Sequence, residues 1–317
     1  MLRYIIRRLG AMIPLLVVIT SATFILGQYG AGDLAAYLTL RQNGGQMNTG
    51  AYLAMRKQLH LDDPIFVRYG RWLWDAVHGN LGVAYATPGQ PDVSYLIDRA
   101  LPISLQLGLA ALVIVVLVGI PLGILAAVFR NRIPDYLIVG GATVTSSIPS
   151  FVLAPIAMIV FVAQLHILPS VGLGWQGLFS TNIVLPALTL AAGPILGVVR
   201  YMRSSVVEVL SQDYIRAARA RGLAERQVIG RHVVRNAFTP LLTVLGLTAA
   251  GLVSGSLFVE TIFNIPGLGQ LAGTAFTGGD VQASTGVLLV SALIIMLANL
   301  LVDLGYSAVD PRVQLGR

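Results

Sequence analysis

Residues 101–129 read LPISLQLGLAALVIVVLVGIPLGILAAVF, a stretch without a single charged side chain. About 20 mostly apolar residues are enough for a helix to cross the hydrocarbon core of a bilayer. The stretch is therefore predicted to be a membrane-spanning helix, long enough to tilt or to extend beyond the membrane.

Further stretches fit the same pattern. They lie at about 9–29, 136–163, 183–201, 239–261 and 284–307. The stretch at 183–201 is predicted to be interrupted by Pro186, Gly193 and Pro194. The first stretch is interpreted as a retained helix rather than a cleaved signal peptide, because its apolar run is long and no small-x-small cleavage site stands clearly at its end. The sequence thus predicts an all-α polytopic membrane protein with six transmembrane helices.

The composition excludes several other classes of protein. Of the 317 residues 56% are hydrophobic and 11% charged, and the mean hydropathy is +0.78, so a soluble globule could not bury its apolar side chains. Cysteine is absent, and the single lysine, Lys57, is not in the Gly-Lys-[Ser/Thr] context of a Walker A loop. The histidines His60, His78, His166 and His232 lack ligand spacing. We expect no metal, no cofactor and no enzymatic activity in this chain.

The positive charges sort by position. Residues 165–182 carry no charged side chain and 262–283 carry only Asp280. The other connections are rich in arginine: Arg3, Arg7, Arg8, Arg130, Arg132, Arg200, Arg203, Arg216, Arg219, Arg221, Arg226, Arg231 and Arg235. Lys/Arg excess marks the cytoplasmic side, so both termini are predicted to be cytoplasmic. We interpret the net charge of +7 as this topology signal rather than as a nucleic-acid footprint.

The connection over about 30–100 is predicted to form a small ordered cap outside the cytoplasm. Its basic and acidic residues balance, it is rich in aromatic residues, and Leu53–Leu61 has a composition compatible with a helix. Trp72 and Trp74 could contact a ligand, but interfacial anchoring or packing inside the cap is favoured.

The stretch Asp213-Tyr214-Ile215-Arg216-Ala217-Ala218-Arg219-Ala220-Arg221-Gly222-Leu223 predicts a short helix outside the lipid. Asp213 is the expected N-cap and Gly222 the residue that ends the helix. Ala217, Ala218 and Ala220 would let another protein approach closely, while the arginines supply charge-assisted hydrogen bonds. A basic loop that fixes topology or touches anionic lipid is the alternative. The helix–glycine–helix pattern favours docking.

Asp213–Asn236 resembles the cytoplasmic "EAA" loop of permease subunits of binding-protein-dependent ABC importers, in its peptide-transporter version. Further resemblance to the dipeptide/oligopeptide/nickel permease subfamily covers nearly the whole chain in order. It lies in Met1–Pro14, Leu59–Pro64, Gly79–Gly82, Arg99–Ser104, Phe258–Gly269, Asn299–Asp303 and Asp310–Arg312. The loop departs from the broader motif at two places. Arg216 replaces a glutamate, and Val234-Arg235 replaces Leu-Pro. The peptide subfamily often shares both departures.

The resemblance implies the type I ABC importer transmembrane fold and a subunit that forms half of a translocation pathway for di/oligopeptides or a related small solute. It implies that an ATPase docks on Asp213, Tyr214, Arg216, Ala217, Ala218, Arg219, Ala220, Arg221, Gly222 and Leu223. The implied partners are a second homologous permease subunit, two ATP-binding cassette subunits, an extracytoplasmic solute-binding protein and the lipid of a bacterial inner membrane. The expected division is 1–29 (first helix), 30–100 (cap), 101–307 (core, with a coupling loop at 202–238) and 308–317 (cytoplasmic tail).

Other features have a structural and a functional interpretation. The pairs Gly119/Gly123, Gly193/Gly197 and Gly251/Gly255 have the spacing of close helix packing. Breaks at Pro149, Pro155, Pro186 and Pro194 would suit a translocation path. Glu260 and Asp303 could hold substrate or a proton, but helix-end pairing or solvation is favoured.

Two rival functions stay open at this point. An ion-gradient-driven secondary transporter would need intramembrane ionisable groups and internal repeats, which are scarce here. ATP depletion or an uncoupler would distinguish it from an ATP-driven importer. An intramembrane enzyme would need a nucleophile–base pair, a metal cluster or paired carboxylates within the spans, and none is evident.

Overall fold

The computed structural model describes residues 2–29, 33–85, 87–169, 175–254 and 256–309. Over these residues the protein is helical, apart from one isolated antiparallel bridge between Val83 and Asp92, which confirms the predicted all-α fold class. The chain forms two compact units, one of Leu2–Pro102 with Gly267–Ile294, the other of Ile103–Pro266 with the segment from Ile295 onward. The division at 29, 100 and 307 expected from the sequence stays a prediction.

The first unit is built from five whole helices and the ends of two others. These are α1 (Leu2–Tyr29), α2 (Leu34–Gln42), α3 (Thr49–Gln58), α4 (Ile65–Val77), the start of α5 (Val93–Ile114), α14 (Leu268–Thr277) and the start of α15 (Val281–Val309). Asp33 caps α2, since its side chain accepts hydrogen bonds from the amides of Ala35 and Ala36. Asn48 caps α3 in the same way. Helix α3 covers most of the stretch in which a helix was expected.

The two tryptophans of this unit have different surroundings. Trp72 is partly buried, with its ring 5.7 Å from that of Phe24 and 6.2 Å from that of Tyr69. Trp74 is 67% exposed and contacts only the ring of His78 among the described aromatic pairs. Trp72 therefore packs against the rings of Phe24 and Tyr69, whereas Trp74 lies on the surface.

The second unit contains the remaining helices. After α5 come a π-helical turn at Val115–Gly119, α6 (Ile120–Val128), α7 (Ile133–Ser147), α8 (Ser150–Ala157) with a π segment at Met158–Gln164, α9 (Val184–Leu210), α10 (Asp213–Ala220), α11 (Glu225–Gln227) with a π segment at Val228–Val234, α12 (Arg235–Ser254) and α13 (Leu257–Ile262). The turn at Val115–Gly119 precedes Pro121, whose missing amide leaves a carbonyl of the preceding turn without its helical donor.

Helix α9 is the centre of this unit and packs against α6, α7, α8 and α12. A Cβ added at Gly123 would lie 2.7 Å from the Cβ of Met202 on α9, and one at Gly119 would lie 2.9 Å from Val198, so this pair allows close packing as predicted. The predicted close helix packing at Gly193 and Gly197 is wrong within this chain, because a Cβ added at either residue meets nothing within 4 Å. An added Cβ at Gly251 likewise meets nothing within 4 Å. Gly255 lies outside the described residues.

Five helices of the described chain are long and apolar enough to cross a membrane, and a bent pair raises the number to six. The bent pair is Ile133–Ser147 with Ser150–Gln164, whose axes differ by 100°, so Pro149 breaks the predicted third span. The expectation that Pro186 and Pro194 interrupt the fourth span is wrong, because α9 runs continuously over Val184–Leu210. Pro186 lies in the first turn, where no helical amide bond is needed. Pro155 likewise does not end its helix, since it lies inside α8.

Candidate functional site

Helix α10 follows α9 after only Ser211 and Gln212. The predicted N-cap is wrong by one residue: Gln212 has the extended backbone of a cap (φ −73°, ψ 146°), and Asp213 is the first helical residue. A carboxylate in the first turn still stabilises the positive end of the helix dipole. The Asp213 side chain is almost fully exposed, and the side chain of the cap residue Gln212 makes no cap hydrogen bond.

Gly222 ends α10 as predicted. Its φ of +78° is a left-handed backbone conformation that glycine adopts without strain. The amide of Gly222 donates to the carbonyl of Arg219 at 2.9 Å, and that of Arg221 donates to Ala217 at 3.1 Å. The chain thereby reverses and enters α11 at Glu225.

One face of α10 is inside the protein and the other is free to contact a partner. Ile215 and Ala218 are buried in the same apolar cluster as Val228 and Val233 of the following π segment. The prediction that Ala218 belongs to the approachable surface is wrong, because its spacing of three from Ile215 places both on the inward face. The exposed residues of the stretch are Asp213, Tyr214, Arg216, Ala217, Arg219, Ala220, Arg221, Gly222 and Leu223.

An ion pair holds the two sides of the turn together. Arg219 donates from Nη2 to Oε1 of Glu225 at 2.6 Å and from Nε to Oε2 at 3.2 Å. This forked hydrogen bond lowers the pKa of Glu225 and raises that of Arg219. The arginines were predicted to donate to another protein, and this internal partner of Arg219 was not predicted, although opposite charges flank Gly222 closely.

A second contact reaches from α10 to the start of α12. The amide Nδ2 of Asn236 lies 3.2 Å from the hydroxyl of Tyr214 and donates to the carbonyl of His232 at 2.7 Å. Helix α10 is therefore held near one end by α12, through Tyr214, and near the other by α11, through Arg219, so its exposed face has a defined orientation.

A partly buried ion pair joins α7 to α9, with Arg203 in the part of α9 that leads to α10. Arg203 donates from Nε to Oδ1 and from Nη2 to Oδ2 of Asp135, both at 2.6 Å, and the amide of Asn131 donates to the same Oδ2 at 2.8 Å. The Asp135 side chain is 3% exposed. The pair was not predictable from residue spacing, because Asp135 and Arg203 lie far apart along the chain.

Glu260 is fully buried, so the expected solvation of this side chain is wrong. Its Oε1 accepts hydrogen bonds from Ser104 of α5 at 2.7 Å and from Ser256 at 2.6 Å. The carboxylate connects two helices of the second unit. The side chain of Asp303 lies outside the described residues. In the described chain no group of three or more His, Asp or Glu side chains could hold a metal ion.

These features define a class: a polytopic helical membrane permease with a short, exposed helix between two of its spans. The family model described as "binding-protein-dependent transport system inner membrane component" matches residues 119–315, and its N-terminal companion matches residues 1–107. The chain belongs to this family and is the permease subunit of an ABC importer, a multi-pass membrane protein. Subunits of this family work with a separate ATPase and a solute-binding protein.

Curated relatives match along the full chain. The identity is 36% to the dipeptide transport system permease protein DppB of Bacillus subtilis, 38% to a putative peptide permease protein of Brucella ovis and 35% to the glutathione transport system permease protein GsiC of Escherichia coli K12. Each alignment covers 99% of this chain and 99% of the relative.

Solved structures support the fold. An inward-facing structure of the MetNI methionine ABC transporter aligns with a TM-score of 0.57 at 19% identity, over 68% of this chain and 97% of that one. An amino acid ABC transporter solved with histidines aligns with a TM-score of 0.51 at 15% identity, over 68% and 94% of the two chains. The type I importer fold predicted from the sequence is confirmed.

Proposed function

We propose that this subunit imports short peptides or peptide-like solutes such as glutathione. The support is the group of relatives named for dipeptide, peptide and glutathione transport, which match over 99% of the chain at 35–38% identity. The test is uptake of a labelled dipeptide and of labelled glutathione by cells with and without this subunit. Loss of uptake on ATP depletion, with uptake retained in an uncoupler, is expected. Uptake abolished by the uncoupler alone would favour an ion-driven transporter.

We infer that the exposed face of α10 is the surface on which the ATPase docks. The observation that carries this proposal is the orientation of the helix: Ile215 and Ala218 hold one side in the core, and Arg219–Glu225 closes the turn. The opposite side presents two alanines, Ala217 and Ala220, between charged residues. Small residues allow a partner's backbone to approach, and the flanking guanidinium groups suit carboxylate or carbonyl acceptors at the edge of a groove.

Copurification tests the docking surface. Ala217→Glu adds bulk and charge to the exposed face without touching the core, so it should release the ATPase from the solubilised permease while the helices stay folded. Gln46→Glu, at an exposed position of the first unit, is a charge-matched control and should retain the ATPase. Equal ATPase recovery with Ala217→Glu and wild type would contradict the proposal.

We further propose an assembly of this subunit with a second, non-identical permease subunit, two ATPase subunits and a binding protein, with both termini cytoplasmic. The positions of the arginines along the chain support this orientation. Because the chain has no cysteine, cysteines appended at each terminus should react with an impermeant maleimide only after the cells are opened. Tagged protein should copurify with one different permease; recovery of a differently tagged second copy would indicate a homodimer.

A further inference from the structure

Helix α4 carries an apolar stripe on its exposed side. Phe66, Trp74 and Val77 are 85%, 67% and 75% exposed, and Gly70 lies between them. Spacings of four, four and three residues place all of them on one face of the helix, here named the α4 stripe. Three large apolar side chains exposed together on one helix face indicate an interaction surface rather than a water-facing one.

The opposite face of α4 is polar and has its partners within the same unit. Arg68, Arg71 and Asp75 line a recess of about 530 Å³ together with residues of the preceding segments. Arg71 also pairs with Asp63, which precedes α4, at 3.1 Å. The helix is thus strongly amphipathic. Its charged side lines the recess inside the unit, whereas the α4 stripe is exposed in the part of the chain that the structure describes.

Contacts with α1 fix the level of α4 relative to the membrane. The Tyr69 hydroxyl lies 2.7 Å from Oγ1 of Thr20, and the rings of Tyr69 and Trp72 lie 5.4 and 5.7 Å from that of Phe24. Helix α1 can cross the membrane over Gly10–Gly27. At 1.5 Å per residue, Phe24 and Thr20 lie about 4 and about 10 Å along the axis before the Gly27 end. The turn of α4 that contains Tyr69 and Trp72 therefore lies beside the last turns of the span, not beyond them.

We propose that α4 is an interfacial membrane helix whose stripe is inserted into the lipid at the Gly27 end of the first span. Amphipathic interfacial helices bury their apolar face about 5–10 Å into the boundary between headgroups and acyl chains, which matches the depth set by Phe24 and Thr20. Ile25 and Leu26 of α1 are exposed at the same level and continue the lipid-facing surface. Trp74 supplies the aromatic anchor that favours this depth.

Spin labelling tests this placement without reference to substrate or to ATPase docking. The chain has no cysteine, so Phe66→Cys, Trp74→Cys and Val77→Cys can each carry a nitroxide. The permease is assembled with cysteine-free partner subunits and reconstituted in vesicles of phosphatidylethanolamine and phosphatidylglycerol. Collisions with oxygen, which concentrates in lipid, and with a water-soluble nickel chelate are then compared. Three exposed positions keep the test valid if one variant fails to assemble.

We expect oxygen collisions to dominate at all stripe positions that assemble, and nickel collisions to dominate at the control Gln46→Cys. Dominant nickel collisions at the stripe would place it in water and overturn the proposal. Low collision rates with both reagents would show a protein-covered surface, which would also overturn it in favour of contact with another subunit.

Discussion

Arg219 and Glu225 form a forked ion pair across the turn at Gly222, with oxygen–nitrogen distances of 2.6 and 3.2 Å. Arg219 lies in the last turn of α10 and Glu225 is the first residue of α11, so the pair spans the reversal that separates the two helices. The pair leaves Ala217 and Ala220 facing outward while Ala218 stays in the core. The core contacts of Ile215 and Ala218 set the orientation of the proposed docking surface, and the ion pair adds a contact across the turn at its end.

Replacing Glu225 with glutamine should loosen the turn in a pH-dependent way. The pKa of Glu225 is held below its ordinary value of 4.5, so the pair stabilises the fold above that pH and is lost as the pH falls through the lowered pKa. Because the side chains are 43% and 55% exposed, the effect should be at most about 1 kcal/mol. The measurement is the difference in unfolding free energy between wild type and Glu225→Gln, present at neutral pH and absent in acid.

Asp213→Asn is the control for that experiment, because this carboxylate is exposed and its oxygen lies 3.6 Å from Arg216. It should change the unfolding free energy less than Glu225→Gln, because it removes a helix-dipole interaction and a longer ion pair but no forked hydrogen bond. Equal effects of the two variants would mean that the pair across Gly222 has no special role.

Gly222→Ala should destabilise the protein by about 1 kcal/mol, because alanine is strained at a φ of +78°. An added Cβ meets no atom within 4 Å there, so the cost is conformational rather than steric. Gly230→Ala is the matched control: its Cβ is equally unobstructed, but the residue is helical. Thermal unfolding in detergent should show a loss for Gly222→Ala and none for Gly230→Ala, and equal losses would contradict the assignment of Gly222 as the helix terminator.

Arg203→Met should be among the more damaging changes in the second unit. It leaves the carboxylate of Asp135 buried without its cation, at a cost of about 3 kcal/mol. The double variant Asp135→Asn with Arg203→Met removes that charge and should be more stable than Arg203→Met alone. Arg200→Met, which removes a single exposed hydrogen bond to Thr143, is the control. The measurement is the free energy of chemical unfolding of wild type, Arg203→Met, the double variant and Arg200→Met. A double variant less stable than Arg203→Met would contradict this account of the ion pair.

Gly123→Ala should separate α6 from α9 and cost about 1–3 kcal/mol, since its Cβ would lie 2.9 Å from the carbonyl oxygen of Val199. Gly197→Ala introduces the same methyl group into open space and should be tolerated. The yield and melting temperature of the two purified variants provide the comparison. A destabilised Gly197→Ala with an unaffected Gly123→Ala would contradict the packing of α9.

The sequence predicted those parts of the fold that local composition controls. Apolar length located the spans, and Gly222 located the end of α10 because few other residues adopt its backbone conformation. The effect of each proline was harder to predict: Pro149 bends the chain by 100°, whereas Pro194 lies inside a continuous helix. Helix packing decides between these outcomes, and packing is not a local property.

The candidate site was predictable in outline but not in detail. The position of α10 followed from its residues, but the burial of Ala218 depends on Ile215 and on the segment that follows the turn. The Asp135–Arg203 pair and the burial of Glu260 likewise depend on partners distant in the chain. Residue spacing alone contains no signal for such contacts.

The central claim is that the exposed face of α10 binds the ATPase. The most direct measurement is photocrosslinking from benzoylphenylalanine placed at Ala217 in the assembled transporter, with the same probe at Gln46 as control. The account predicts an adduct with the ATPase from position 217 and none from position 46. An adduct with lipid alone, or no adduct with the ATPase from position 217, would contradict it.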